Sequence, residues 1–169
     1  TVSGFYLQDQ LQLPQDVFAV AGLRYQRAKL TSGSEYGPDF GGGGLVADED
    51  RSDHAVTPRL GLLWRAQANL SLYGSFTSGF GVNNGRDWEH NPLPPEKARQ
   101  IEVGVKTEWM GGKLSSTVAL FNLTKTNIAT ADPDPTHLPA ATWQVPIGEA
   151  RSRGLEIDLQ GKLDAHWSA

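Results

Sequence analysis

The sequence contains no cysteine, which excludes disulfide bonds, thiolate metal sites and a cysteine nucleophile. It also contains no long hydrophobic run, because its longest apolar stretch, residues 17–23, is far shorter than the roughly 20 residues that a membrane-spanning helix needs. Basic residues are fewer than acidic ones, 15 against 19, and the net charge of −4 disfavours a nucleic-acid partner. Disulfide scaffolds, helical membrane proteins and nucleic-acid-binding proteins are thereby set aside.

The short motifs of common catalytic and metal sites are also missing. The chain has neither a G-x-S-x-G nucleophile elbow nor an H-E-x-x-H zinc motif, and glycines 41–44 are not followed by the Lys-Ser/Thr of a phosphate loop. The four histidines show no ligand spacing, and the acidic run at residues 48–53 lacks the pattern of a calcium loop, so it is interpreted as a solvated loop tip. We therefore expect no catalytic residue, no resident metal and no covalently bound cofactor.

What the sequence does contain is apolar and polar residues in alternation, the pattern of a β-strand with two different faces. No segment sustains a helical apolar stripe, whereas the alternation recurs seven times along the chain. The predicted strands are residues 3–13, 17–30, 55–65, 70–82, 98–109, 114–128 and 151–163. The fold class predicted from this pattern is all-β, an antiparallel meander of about seven long strands.

The connections between the predicted strands alternate strictly in length. Short turns at residues 14–16, 66–69 and 110–113 are separated by long segments at 31–54, 83–97 and 129–150. Outer-membrane barrels have short periplasmic turns and long extracellular loops, and their strands exceed the roughly 5–6 residues usual in globular proteins. The pattern thus favours a part of a transmembrane β-barrel. Two alternatives stay open: a small self-contained barrel of about eight strands, and a soluble β-module that binds carbohydrate through Trp and Tyr.

The apolar residues that define one face of the second, third, fourth, fifth and seventh predicted strands are not interrupted by charge, whereas the opposite faces carry many charges. A charged residue on a lipid-facing surface costs roughly 2–4 kcal/mol at the bilayer midplane, so the face that carries charge is expected to line the lumen. Asp9 is the exception, because it falls on the apolar face of the first strand, where we expect either an interface position or a β-bulge. The predicted lumen-facing wall residues are Arg24, Glu102, Lys106, Glu156 and Asp158.

Five stretches in chain order resemble one family of barrels. They are residues 70–76 (LSLYGSF), 93–96 (LPPE), 100–106 (QIEVGVK), 121–127 (FNLTKTN) and 151–156 (RSRGLE). Together they resemble the barrel of TonB-dependent outer-membrane receptors of the ferric-siderophore branch, in which an LPPE-type turn leads into an E-x-G-x-K strand. Each motif alone is weak, but their order and spacing make a specific signal.

The resemblance implies a fold and a function. Such receptors are large transmembrane β-barrels of about 22 strands with a plugged lumen, so residues 1–169 are expected to be an internal piece of the barrel, with the plug domain and the C-terminal strands absent. The implied location is the outer membrane of a Gram-negative bacterium. The implied partners are a ferric siderophore as transported ligand, the TonB energy-transducing complex acting through the plug, and outer-membrane lipid.

Loop location and residue type, and not a matched motif, indicate the candidate ligand contacts. Ferric siderophores are bulky and polar, with aromatic or hydroxamate arms, so aromatic and arginine side chains on extracellular loops suit them. The candidates are Tyr36, Asn84, Arg86, Trp88 and Trp143.

Overall fold

Seven antiparallel strands form one sheet in the computed structural model, which describes residues 1–32, 49–137 and 143–161. Each strand pairs with its neighbours in chain order, so the predicted meander is confirmed. A single 3₁₀ turn, Met110–Gly112, follows the fifth strand, and no helix within the described ranges is long and apolar enough to cross a membrane. The strands are β1 (Val2–Leu13), β2 (Val17–Ser32), β3 (Glu49–Gln67), β4 (Leu70–Gly81), β5 (Glu96–Trp109), β6 (Leu114–Ala131) and β7 (Gln144–Gly161).

Two of the short connections turn through left-handed backbone. Gln15 and Asp16 have φ values of 63° and 57° between β1 and β2, and Met110 and Gly111 have φ values of 54° and 67° after β5. Two successive residues with positive φ match the right-handed twist of the strands they join, which allows β1 and β2 to pair down to their ends.

Three strand boundaries differ from the predictions by three residues or more. Strand β3 begins at Glu49 instead of residue 55, β6 continues to Ala131, and β7 begins at Gln144 instead of residue 151. The interpretation of the acidic run as a loop tip is therefore wrong for residues 49–53, whose backbone lies in β3. Ladder hydrogen bonds join backbone groups, so polar residues continue a strand beyond the point where the apolar alternation stops.

The cross-strand register assigns every residue to one of two faces, because directly paired residues project on the same side of a sheet. Residues 118–121 of β6 are all apolar, so alternation alone does not show which side they face. The register places Val118 and Leu120 on the apolar face, and Ala119 and Phe121 on the polar face. Many apolar side chains larger than alanine are exposed on the apolar face. Examples are Leu7, Leu23, Leu60, Leu62, Ile101, Val103, Leu120 and Leu155.

Asp9 lies on the apolar face, and no bulge explains it. The register between β1 and β2 is continuous from Val2 to Leu13, so the β-bulge considered from the sequence is excluded. The carboxylate instead accepts a hydrogen bond from the backbone N–H of Gln10, with a distance of 2.9 Å. The register irregularity among the described strands lies in β3, between Arg65 and Gln67.

The sheet has almost no core of its own. Among the described residues, the buried hydrophobic side chains are those of Ala28, Leu93 and Ala119. Tryptophans stand on the apolar face beside the short turns, Trp64 before the turn at 68–69 and Trp109 before the turn at 110–113. An exposed apolar band edged by aromatic residues is typical of a sheet that faces lipid.

Candidate functional site

A cluster on the polar face explains one of the sequence motifs. The Tyr73 hydroxyl donates a hydrogen bond to Oε1 of Glu102 at 2.7 Å, and the other carboxylate oxygen accepts one from Nε2 of Gln100 at 3.1 Å. The ammonium group of Lys106 lies 5.3 Å from the centre of the Tyr73 ring, within cation–π range. The register places Tyr73 directly opposite Gly104, so the ring rests between a carboxylate and an ammonium group.

The glycine of this motif is required by the ring that covers it. A Cβ atom at Gly104 would lie 2.6 Å from Cε1 of Tyr73 and 2.7 Å from the backbone oxygen of Val118. The E-x-G-x-K spacing therefore has a geometric reason: Glu102 and Lys106 flank a glycine that leaves room for an aromatic ring from the neighbouring strand.

An aromatic ring also packs on a glycine of the neighbouring strand between β6 and β7. Phe121 is paired with Gly154, and a Cβ atom at Gly154 would lie 2.7 Å from Cε1 of the Phe121 ring. Glu156 follows two residues along the same face, exposed and paired with Ala119. The glycine of the RSRGLE stretch thus has the same role as Gly104 in the preceding motif.

All five residues predicted for the lumenal wall lie on this polar face. Lys106 pairs with Thr117, which pairs with Asp158, so these two charges stand two strands apart in one row. Arg24 pairs with Thr57 at the far side of the same face. Arg24, Glu156 and Asp158 are exposed, and their side chains have no ion pair within the part of the chain that the structure describes. That this face lines a lumen stays a prediction.

A second cluster joins the two described loops at the opposite end from the short turns. The indole of Trp88 stacks on the imidazole of His137, with ring centres 4.5 Å apart and planes 8° apart. His90 meets Trp143 edge-on at 4.7 Å. A backbone hydrogen bond of 3.0 Å from Gln144 to the carbonyl oxygen of Arg86 links the same two segments. We call Trp88, His90, His137 and Trp143 the loop cluster.

His137 is held in place by two carboxylates. Its Nδ1 lies 2.7 Å from Oδ2 of Asp132, and its Nε2 lies 3.7 Å from Oδ2 of Asp134. The backbone N–H of Asp134, followed by the His137 side chain, lowers the pKa of Asp132. The backbone N–H and hydroxyl of Thr136 likewise lower the pKa of Asp134. Because a depressed carboxyl pKa favours the folded loop only while the group is ionised, this contribution is complete at neutral pH and is lost as the pH falls through the folded pKa values.

A buried asparagine ties the first of these loops to the sheet. Asn83 is 6% exposed, and its Nδ2 donates to the carbonyl oxygen of Asn127 at 3.3 Å, while its Oδ1 accepts from the N–H of Gly85 at 3.2 Å. Asn127, with a φ of 60°, in turn donates from Nδ2 to the carbonyl oxygen of Pro95 at 3.0 Å. The loop, the start of β5 and strand β6 are therefore joined by one chain of amide hydrogen bonds.

We expect Asn83→Ala to loosen this loop without disrupting the sheet. The substitution leaves part-buried backbone groups at Gly85 and Asn127 without their side-chain partner, a loss of about 1–3 kcal/mol, which corresponds to roughly tenfold to hundredfold faster local opening. Hydrogen exchange at the Gly85 and Leu93 amides measures the effect. The control is Asn84→Ala, because Asn84 is exposed and its side chain makes no hydrogen bond to a described residue. Equal hydrogen-exchange rates at these amides in the two variants would contradict the proposed role of Asn83 in holding the loop.

The candidate ligand contacts have different outcomes. Arg86, Trp88 and Trp143 lie in or beside the loop cluster, and the Trp88 side chain is half exposed. Asn84 is exposed on the same loop, next to the buried Asn83. Tyr36 lies outside the described residues. None of these placements tests ligand contact, which stays a prediction.

Several residues that build the two sites were missed from the sequence. They include His90, His137, Asp132, Asn83 and Asn127. Nothing in the sequence indicates that His137 meets Trp88, since the two lie on different loops. In contrast, the glycine within each of the two matched strand motifs is a sequence signal for the close approach of a neighbouring group, although it does not identify that group as a ring.

Comparison with known proteins decides the family. A family model described as "TonB dependent receptor-like, beta-barrel" matches residues 1–169, the whole of the sequence. The chain belongs to the TonB-dependent receptor family. The family's members are outer-membrane proteins of Gram-negative bacteria. That the apolar face contacts lipid stays a prediction.

Curated relatives of the receptor match almost all of this chain. The metal-pseudopaline receptor CntO of Pseudomonas aeruginosa is 31% identical over 157 residues, which is 93% of this chain and 21% of that protein. The ferrioxamine B receptor of Salmonella typhimurium is 31% identical over 164 residues, 95% of this chain and 21% of its own length. The chain therefore spans about a fifth of the length of these relatives.

A solved structure agrees with the fold of the receptor sheet. The ferripyoverdine receptor of the Pseudomonas aeruginosa outer membrane superposes with a TM-score of 0.76 at 20% sequence identity. The match covers 96% of this chain and 21% of that structure. At this identity the likeness concerns the fold, and it identifies the seven strands as consecutive strands of such a barrel wall.

Proposed function

We propose that this chain is part of the wall of an outer-membrane receptor that takes up ferric siderophores with energy from the TonB complex. The observation that carries the proposal is the match of the whole chain to the receptor barrel model. Relatives named as a ferrioxamine B receptor and a ferric-pyoverdine receptor support the substrate class. The iron chelate is cargo, and we expect binding and release without covalent chemistry.

Residues 1–169 are proposed to form an internal segment of the barrel domain. Strands β1 and β7 each leave one edge unpaired among the described residues, and an open sheet edge is not tolerated within a bilayer. Further strands on both sides, and a plug in the lumen, would close such a barrel. The length of the relatives is consistent with both.

The polar face is proposed to contact that plug. Arg24, Glu156 and Asp158 present exposed charges there, whereas Glu102 and Lys106 are already engaged with Tyr73. Plug side chains of opposite charge would form ion pairs with Arg24, Glu156 and Asp158. The cluster of Tyr73, Glu102 and Lys106 would remain a rigid part of the wall. Movement of the plug would then change the contacts of these three charged side chains without changing the structure of the wall.

The loop cluster is proposed to take part in ligand capture on the extracellular side. It presents one half-exposed indole, Trp88, beside Arg86 and Trp143, on loops that are already joined to each other. Aromatic faces and a guanidinium group suit a bulky, polar chelate with aromatic or hydroxamate arms. Loops that are ordered before binding also lose less conformational entropy when the ligand arrives.

Uptake of radioactive iron tests the proposal. The strain that carries the gene, a deletion strain and a strain without the TonB protein are compared under iron limitation with a panel of ferric hydroxamates and ferric catecholates. At least one chelate should enter only when both the receptor and TonB are present. Unchanged uptake of every ferric chelate in the deletion strain would overturn the proposal, and a deficit confined to chelates of another metal would replace its substrate class.

A further inference from the structure

The segment that follows β6 presents His137 on a stiff support. Residues 132–137 read Asp-Pro-Asp-Pro-Thr-His. Oδ1 of Asp132 accepts the backbone N–H of Asp134 at 3.0 Å, and Oδ1 of Asp134 accepts that of Thr136 at 2.9 Å. Proline fixes φ at the two positions between these residues. The segment therefore has little conformational freedom, and His137 at its end has a defined position.

A neutral His137 ring uses only one of its two carboxylate neighbours. Neutral imidazole has one N–H and one lone pair, whereas an ionised carboxylate only accepts hydrogen bonds. The 2.7 Å contact with Asp132 therefore assigns the N–H to Nδ1. Nε2 then turns its lone pair toward Oδ2 of Asp134, which lies 3.7 Å away, and two acceptors do not attract each other. The contact with Asp134 becomes favourable only when Nε2 carries a proton.

One proton strengthens every contact of this ring. The positive imidazolium forms charge-assisted contacts with both carboxylates, and its stacking on the Trp88 indole gains cation–π attraction. The backbone N–H groups of Asp134 and Thr136 are the first cause of the lowered pKa values of Asp132 and Asp134, respectively. Both carboxylates therefore stay charged at about pH 5–8, where imidazole side chains take up a proton. Since the protonated ring is the better partner, the contact is strongest at the acidic end of this range and weakens as the pH rises.

The β4–β5 loop, which packs on His137 through Trp88, carries four titratable groups of its own. They are Arg86, Asp87, Glu89 and His90. The guanidinium group donates to the carbonyl oxygen of His90 at 2.7 Å, and both carboxylates accept from the side-chain amide of Asn91 at 3.2 Å. The His90 ring meets Trp143 edge-on and forms no ion pair with a described residue. A proton taken up between these loops therefore has its largest effect at His137.

We propose that His137 is a positioning residue for ligand capture, which holds the Trp88 indole more firmly when the imidazole ring is protonated. His137 covers one face of the half-exposed indole and leaves its remaining surface to a ligand. A ring that is already held loses less freedom when a ligand packs on it. The β4–β5 loop is therefore tighter, and the affinity for the chelate higher, in mild acid than above neutrality. The effect on affinity rests on the proposed function, whereas the effect on the loop does not.

The first measurement needs no ligand. Hydrogen exchange of residues 84–92 is followed in the full-length receptor, purified in non-ionic detergent, at about pH 5.5 and about pH 7.5. After correction for the intrinsic pH dependence of exchange, we expect opening of the wild-type loop to be at least about fivefold less frequent at the lower pH. The variant His137→Gln keeps a polar side chain that takes up no proton, and it should lose this difference. The matched control is His54→Gln, which makes the same change on β3, outside the loop cluster, and should keep it.

The second measurement is the affinity for the transported ferric chelate at the same two pH values. The wild type and His90→Gln should bind about fivefold more tightly at the lower pH, and His137→Gln should show no difference. Heat-modifiable migration on a gel checks folding, and the wild-type comparison decides even if a variant does not fold.

Three outcomes separate the two proposals. Equal corrected exchange of the wild-type loop at both pH values, or an unchanged pH effect in His137→Gln, would refute the role of His137. Equal affinity at both pH values for a chelate that the receptor takes up would refute its link to capture. If no ferric chelate binds while the pH effect on exchange persists, the proposed function fails and the positioning of Trp88 by His137 is supported.

Discussion

A receptor with Gly104→Ala is expected to reach the outer membrane in folded form at no more than about a tenth of the wild-type level. The new methyl group would lie 2.6 Å from the Tyr73 ring and 2.7 Å from the backbone oxygen of Val118. The ring is already held by Glu102 and Lys106, and the oxygen belongs to the ladder between β5 and β6, so neither can give way easily. Overpacking of this kind costs about 1–3 kcal/mol, and 1.4 kcal/mol is a factor of ten.

The matched control is Gly61→Ala on the same polar face. A Cβ atom there meets only the Cβ of Val20, at 3.8 Å, which is ordinary van der Waals contact. The amount of folded, heat-modifiable receptor in isolated outer membranes is the measurement, with wild type and both variants expressed equally. If Gly104→Ala accumulates as well as Gly61→Ala, the ring-on-glycine packing does not limit assembly.

The second large effect is on ligand capture, and it rests on the proposed function. Trp88→Ala is expected to weaken binding of the transported ferric chelate by about tenfold, the loss of at least 1.4 kcal/mol that is typical of a central aromatic contact. The indole packs one face on His137 and is 49% exposed, so its free surface is available to a ligand. Its removal also takes away one of the contacts that join the β4–β5 loop to the β6–β7 loop.

Binding is measured by intrinsic fluorescence titration of purified, folded receptor, which separates affinity from assembly. The control is Trp109→Ala, an equal truncation of a similarly exposed tryptophan at the opposite end of β5. We expect its affinity for the chelate to equal that of the wild type. The test uses a chelate whose uptake needs the receptor. If Trp88→Ala binds that chelate with unchanged affinity, the loop cluster is not part of the binding surface, and the assignment of the family is unaffected.

The strand boundaries show where sequence reasoning fails. Alternation predicted β4 and β5 to within two residues at each end, because their apolar faces extend over most of their length. It placed the start of β7 seven residues too late, at 151 instead of Gln144, because the outward residues beyond the apolar band are polar. A backbone ladder continues there without leaving a periodic signature in the side chains.

The loop residues illustrate a second limit. Trp88 and Trp143 were selected by residue type and position, and the structure brings both into one cluster with His90 and His137. The spacing of these histidines does not match a metal site and gives no sign of their observed role, which is to pack against the rings of Trp88 and Trp143. The sequence also does not show that Asn83 is buried, because the next residue, Asn84, has the same side chain and is exposed.

The sequence by itself determined the number of strands, their antiparallel order, the alternation of short and long connections, and, in every strand except β6, which face is apolar. These follow from local preference and from a repeat of two residues, which are properties of short segments. Only the tertiary structure decided that Tyr73 covers Gly104 and that Trp88 meets His137. Those pairings depend on the register between strands and on strand tilt, which are set when the whole sheet closes its hydrogen bonds and not by any one segment.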